Sequence, residues 1–283
     1  MTIHSADIIL ARIDKAIEDD QEDGFRNHLG GSLIGNDCLR ALWYSFRWAT
    51  LKRHKASLLR LWNRGHLEEA RFVGYLERIG ARVLELDPDT GKQWRILDVD
   101  GHFGGSLDGI AYGLPGVEQF GLTDADPVLL EFKTHGQKSF DSLVKDGLTK
   151  SKPQHYAQMQ TYMVKRGIRL GLYMAVNKNT DEIYCVWVEA APQIGAHMLG
   201  KARDVIVSPT PLPRISNNPS WFVCRFCDHY QVCHQGAAMA KNCRTCAFSK
   251  PIEDGKWYCS RWAAVIPSEH QRVGCDNHSE IPT

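Results

Sequence analysis

The sequence contains no run of about eighteen apolar residues, which excludes an ordinary membrane-spanning helix. No basic-then-apolar signal pattern stands at its start, so a cytoplasmic location is expected. It has no Gly-x-x-x-x-Gly-Lys-Ser/Thr phosphate loop, and therefore no motor of that class. Internal repeats and low-complexity tracts are absent too, which argues against a solenoid or a disordered chain. One local absence is informative. Between Cys38 and His66 there is no Asp or Glu, although the chain as a whole has a net charge of only +1.

The acid-free stretch carries seven bases, Arg40, Arg47, Lys52, Arg53, Lys55, Arg60 and Arg64, interleaved with Trp43, Tyr44, Phe46, Trp48 and Trp62. Bases neutralise phosphates and aromatics stack on nucleobases, so Arg47, Arg60 and Arg64 are candidate nucleic-acid contacts. The competing reading is two amphipathic helices with solvated basic faces.

At 283 residues, 43% of them apolar, the chain can bury one large core with appendages. Ile9, Ile13 and Ile17 recur at helical spacing, predicting a helix near 6–19. Residues 20–36 read as a loop. Asp37 is placed to cap a helix running from Leu39 to Trp48, and a third helix is predicted over 57–79. Strands follow at 81–86, 94–99, 103–112 and 127–133, with a Gly-, Pro- and Asp-rich loop over 113–127. A helix over 151–166 carries Pro153 in its first turn and a possible capping box of Ser151 and Gln154. Strands at 168–177 and 182–189, a helix near 193–206 and a linker over 208–220 complete the pattern. The expected class is α/β, a mixed central sheet with flanking helices. The expected division is 1–240 for this domain and 241–283 for a small cysteine-rich module.

The chemistry concentrates on two strands. Side chains alternate along a strand, so Glu131 and Lys133 share a face, and Asp108 sits on the preceding strand-like run. Two carboxylates with a lysine beside them can hold a divalent cation and activate water. Gln158 and Tyr162 lie four apart on one helical face. His66 and Glu69 share another, and both are candidates for a further ligand. Asp-Gly alone marks a turn, Glu-x-Lys alone an exposed strand, and a helical histidine alone a core residue. Their joint occurrence favours a metal-dependent phosphodiesterase.

This constellation resembles the PD-(D/E)XK nuclease superfamily, in its RecB-like branch, over residues 30–235. Leu107 stands where the name's proline would be, and the connection between the two acidic strands is long. The resemblance implies a restriction-endonuclease-like core and Mg2+- or Mn2+-dependent cleavage of single-stranded DNA or duplex ends, in recombination, repair or phage DNA metabolism. It implies metal ligands at His66, Asp108, Glu131 and the Phe132 carbonyl, a water-orienting role for Lys133, and Gln158 and Tyr162 near the bound strand. With no phosphate loop, unwinding would fall to a partner helicase or recombinase. Spacer processing in CRISPR adaptation is the alternative role that the same resemblance suggests.

Nine cysteines in a chain expected to stay unexported point to metal more than to disulfides. Cys38, Cys224, Cys227 and Cys233 form one quartet, three clustered and one remote. It resembles the staple of AddB-type and CRISPR-associated RecB-like exonucleases, which implies a 4Fe-4S cluster. Spacing alone leaves zinc open. Cys243, Cys246, Cys259 and Cys275, with His278 nearby, read as a zinc knuckle, since residues 241–283 are too few to fold on a core of their own. Cys185, in an apolar strand, reads as a core thiol. His66-Leu67-Glu68 with Cys224-x-x-Cys227 mimics a nucleobase deaminase, but Val223 precedes the pair where proline is needed and the separation is too large. A non-catalytic, metal-stapled nucleic-acid-binding module remains the rival from another class. It would not require Asp108, Glu131 and Lys133 together.

Overall fold

The computed structural model describes residues 5–21, 25–51 and 53–282. Helix α1 (Asp7–Asp19) leads to a two-residue strand, β1 (Leu29–Gly30), then α2 (Leu39–Phe46) and the long α3 (Ala56–Arg78). Strands β2 (Arg82–Leu84), β3 (Arg95–Asp98), β4 (Phe103–Ser106), β5 (Gly109–Tyr112) and β6 (Val128–His135) follow. Helices α4 (Gln137–Asp146), α5 (Leu148–Ser151) and α6 (Pro153–Arg166) precede β7 (Leu170–Asn177), β8 (Ile183–Glu189) and α7 (Pro192–Val207). The C-terminal part carries α8 (Phe222–Arg225), α9 (Tyr230–Gln235), β9 (Ser249–Pro251), β10 (Trp257–Cys259), β11 (Ala264–Ile266) and α10 (Ser268–Gln271).

The central sheet has the order β2-β5-β6-β7-β8 and is mixed, with only β6 and β7 parallel. The α/β class and the flanking helices are as expected. The first three residues of β6, Val128, Leu129 and Leu130, are apolar on both faces because both are covered. Val128, Leu130 and Phe132 join one core cluster with Phe72, Val73 and Leu76 of α3. There Phe72 stacks on Phe132, ring centroids 5.0 Å apart. Leu129 faces the other cluster, with Met159, Tyr162 and Met163 of α6. The period of two therefore sends Glu131 and Lys133 toward α6.

The predicted strand over 103–112 is two strands. Its first half pairs with β1 and β3 in a small sheet, and its second half pairs with β2 and β6 in the central one. The break falls at Leu107, whose N–H donates to Trp94 O (3.0 Å), and at Asp108. Two caps also differ. Cys38, not Asp37, precedes α2, and the Asn36 carboxamide accepts its N–H at 2.9 Å. Ser151 ends α5, so Lys152 precedes α6 and no capping box forms there. Cys185 is exposed on β8, an outer strand, rather than in the core.

The segment beyond Ala240 packs on the rest of the chain. Trp257, Ile266 and Ile281 belong to the same core cluster as Trp43, Phe46 and Tyr162. No helix among the described residues is long and apolar enough to cross a membrane.

Candidate active site

Asp108, at the bend where the chain changes sheets, turns its carboxylate onto the neighbouring strand. Gly109 pairs with Leu130, so Asp108 lies just beyond the last ladder pair. Its Oδ2 accepts the Phe132 N–H at 2.7 Å, doing the work of a missing ladder carbonyl. Lys133 Nζ touches Glu131 Oε1, donates to Phe132 O (2.9 Å) and lies 3.9 Å from Asp108 Oδ2. Glu131 is fully buried, and Gln158 Nε2 donates to its Oε2 at 3.1 Å. Glu131 Oε1 has no hydrogen-bond donor apart from that ammonium contact. Asp108, Glu131, Phe132, Lys133 and Gln158 thus converge, as the strand and helix periodicities require.

Tyr162 is one turn beyond Gln158 and buried. It packs against the backbones of Gly31 and Gly105, where any Cβ would overlap its ring or hydroxyl. Burial, and next Glu131 and Asp108, hold its hydroxyl well above the usual tyrosine range. It is therefore a neutral wedge rather than a base.

The electrostatics follow from three acids around one ammonium. Burial pushes the Glu131 carboxyl up, against the pull of Lys133. Burial works against the Lys133 ammonium, but Glu131 and Asp108 outweigh it and hold lysine above its ordinary range. Glu69 is raised by burial and by Asp108. His66 is 75% exposed and sits 3.4 Å from Glu69. Glu69, more than His66, is thus the α3 side chain that shares the field of the two strand carboxylates.

The sequence reading missed a polar network beside this cluster. Tyr173 of β7 stands in register with Glu131. Its hydroxyl meets His135 Nε2 at 3.0 Å and His155 Nδ1 at 2.9 Å, and Ser139 Oγ meets His135 Nδ1 at 3.2 Å. Burial, then Lys152 and Lys133, depress His135 to about 4. Burial, then Lys133, depress His155 to about 3. The available signal was spacing: His135 extends the Glu131–Lys133 face by two residues, and His155 precedes Gln158 by three.

The candidate nucleic-acid contacts separate. Arg47 is 1% exposed, and its guanidinium donates to the carbonyls of Arg244 (3.1 Å), Ser249 (3.2 Å) and Ser208 (3.1 Å). It lies over Trp43 and Trp257, so it is an interior brace and not a surface contact. Arg60 pairs with Asp14, and Arg64 donates to Lys178 O at 2.9 Å. Lys52 lies outside the described residues.

Each cysteine quartet shares a pocket. Cys38, Cys224, Cys227 and Cys233 line one, with Tyr44 and His229. Cys243, Cys246, Cys259 and Cys275 line the other, with His270 and His278. Burial, and next Cys275, Cys246 and Cys259, push the Cys243 thiol up to about 11. His278 Nε2 meets Thr245 Oγ1 at 3.2 Å. Among the described residues, no group of three or more His, Cys, Asp or Glu stands in a ligand shell.

No protein-family model matches this chain, and no curated protein matches it significantly. Among solved structures, it is similar to an alkaline exonuclease, LHK-Exo, from Laribacter hongkongensis. That structure has 18% identity and a TM-score of 0.42, over 69% of this chain and 90% of the other. LHK-Exo in complex with dAMP gives 18% and 0.43, over 63% and 86%. SSO0001 gives 14% and 0.45, over 80% and 96%. At such identities and TM-scores the likenesses carry no weight for family or function.

Proposed function

We propose that the chain is a metal-dependent deoxyribonuclease of the RecB-like PD-(D/E)XK kind, an exonuclease on single-stranded DNA or duplex ends. The convergence of Asp108, Glu131 and Lys133, with Gln158 gripping Glu131, carries the reading. Oxygen donors of this kind suit a hard divalent cation. The buried Glu131 Oε1, whose one polar contact is the Lys133 ammonium, is an acceptor awaiting a stronger partner. Mg2+ or Mn2+ held by Asp108, Glu131 and the Phe132 carbonyl, with Glu69 or His66 beside them, would supply Lewis-acid polarisation of the phosphate and a more acidic water.

The side chains do the rest. Lys133, on leaving Glu131, orients the attacking water and offsets the charge gathering on the phosphoryl oxygens. The Phe132 N–H fixes the Asp108 carboxylate. Gln158 holds Glu131 from the far side, and Tyr162 keeps that helix at its distance.

In the same reading, Cys38, Cys224, Cys227 and Cys233 hold a 4Fe-4S cluster and Cys243, Cys246, Cys259 and Cys275 hold zinc. The grouping of each cysteine quartet around one pocket supports this. Residues 241–283 are then a knuckle seated on a nuclease domain. Incubation of end-labelled single strands with Mn2+ tests the function. Cleavage that chelator abolishes, while binding persists, is expected. Binding without cleavage by the wild type would leave the rival, non-catalytic module.

A further inference from the structure

A groove runs between the first half of α3 and the segment around β1. Its walls include Arg26, His28, Ser32, Trp48, His54 and Trp62. We infer that this groove is a stacking subsite for an unpaired nucleic-acid strand, with Trp62 as its base platform and Arg26 as its phosphate contact. The inference rests on the nuclease reading and specifies how the strand reaches the carboxylates.

The first argument is continuity. Leu59, Trp62, His66 and Glu69 fall at i, i+3, i+7 and i+10 of α3, one face of one helix. Farther along, Phe72 and Leu76 bury that helix against the sheet. Leu59 and Trp62 line the groove on the first half of α3, and Glu69 lies about two turns beyond Trp62 on the same face. From Trp62 to Glu69 is about 10 Å of helical rise. A strand lying on Trp62 is thus within one or two nucleotides of Asp108 and Glu131. A second link runs through the chain itself: Gly30 lines the groove, while the next residue, Gly31, seats Tyr162.

The second argument is chemistry. Trp62 is 46% exposed, so its ring is open to a flat partner. Its ring is set by an edge contact with His54, centroids 4.6 Å apart. Arg26 is held at the rim, its Nη1 3.3 Å from Ser32 Oγ and its backbone carbonyl accepting Trp48 Nε1–H at 2.8 Å. A polar, basic, aromatic groove fits flat bases on a charged backbone better than an apolar peptide. Arg26 and Arg272 outnumber Asp228 among its described lining residues, a net charge that suits an anion. A duplex hides its base faces, so Trp62 selects unpaired strands.

The test is binding to the full chain in EDTA, where no cleavage competes. The probes are a fluorescent oligo-dT, an abasic strand of equal length and a blunt duplex. Trp62→Ala should weaken oligo-dT binding about tenfold or more, with Trp62→Phe losing much less. The same variant should bind the abasic strand and the duplex as wild type does. Arg26→Gln should weaken all three and lower the salt slope by about one. Thermal melts establish that each variant is folded. Unchanged oligo-dT affinity in a folded Trp62→Ala, or equal losses on all three probes, would overturn the subsite. If Trp62→Ala loses oligo-dT while the wild type cleaves nothing with Mn2+, the groove stands and the nuclease reading falls. Cleavage by the wild type with unaltered binding in Trp62→Ala does the reverse.

Discussion

Arg244 lays its guanidinium over Trp48, 3.6 Å from the ring centroid, in an interior that answers it with neutral partners. Nε donates to Gln271 Oε1 (3.1 Å), Nη1 to Phe46 O (3.3 Å) and Nη2 to Asn27 O (3.0 Å). Phe46 and Trp257 add further aromatic faces. Burial drives its pKa well down, and Arg47 nearby lowers it further. Two guanidiniums in one aromatic box tie the segment after Ala240 to α2.

Removing either brace should therefore destabilise the whole chain. Arg244→Ala leaves three acceptors unpaired and a cavity among tryptophans, a loss of about 3 kcal/mol or more. Chemical denaturation monitored by tryptophan fluorescence measures it. Truncation after Ala240 also deletes Trp257, Ile266 and Ile281 from the shared core. It should melt far lower than the full chain, although the sequence alone would treat the piece as separable.

The chemistry proposed for the Asp108–Glu131–Lys133 cluster can be separated from its structural role. Asp108→Ala and Glu131→Ala should each abolish Mn2+-dependent cleavage, and wild-type activity in Glu131→Ala would sink the site. Lys133→Ala removes the ammonium that opposes burial, so the Glu131 carboxyl rises further and takes up a proton, costing about 1–3 kcal/mol besides activity. The double variant Glu131→Gln/Lys133→Met should recover stability in denaturation experiments without recovering cleavage.

The His135–Tyr173–His155 network predicts an acid limb. Both histidines have folded pKa values below the ordinary value of about 6.5, so the unfolded chain binds protons first. Their contribution is fully present above about pH 6.5 and fades as pH falls toward about 4 and about 3. Glu131, raised by burial, acts in the opposite direction. Melting temperatures of wild type and His135→Gln/His155→Gln across this range isolate the histidines. The variant should show the flatter profile, and parallel curves would refute the assignment.

The metals proposed at the cysteines would have their own signatures. Anaerobically purified protein should be brown, with iron and sulfide in equal amounts, and Cys38→Ser should lose the colour. Colourless protein with zinc at those thiols would reassign the first quartet. At the second, a thiol raised to about 11 ionises at neutral pH only with a cation beside it. Zinc added to apoprotein should release protons, detectable with an indicator dye, and Cys243→Ser should carry one zinc fewer.

Much of this was legible because it depends on period. The face shared by Glu131 and Lys133, the Gln158–Tyr162 spacing and most helices follow from repeats of 2 and 3.6 residues. Arg47 was misjudged because a base among aromatics reads alike whether it meets phosphates or buried carbonyls. Its carbonyl partners lie more than 150 residues away in the chain. The strand break at Asp108 was hidden because sheet membership depends on partners, not on local propensity. The histidine network was overlooked since its members come from β6, β7 and α6, and no local motif joins them.

Gly105 contributes no donor, charge or nucleophile, yet the seat of Tyr162 depends on it. Gly105→Ala would push the tyrosine outward, and the rigid turn between Tyr162 and Gln158 would carry that displacement to the Glu131 grip. The damage would register as misalignment: every reactive group still present, held at the wrong separation. A bare backbone surface in the neighbouring small sheet thus sets the working tolerance of the carboxylates, and sites of inactivating mutation should extend to glycines that no chemical inventory would include.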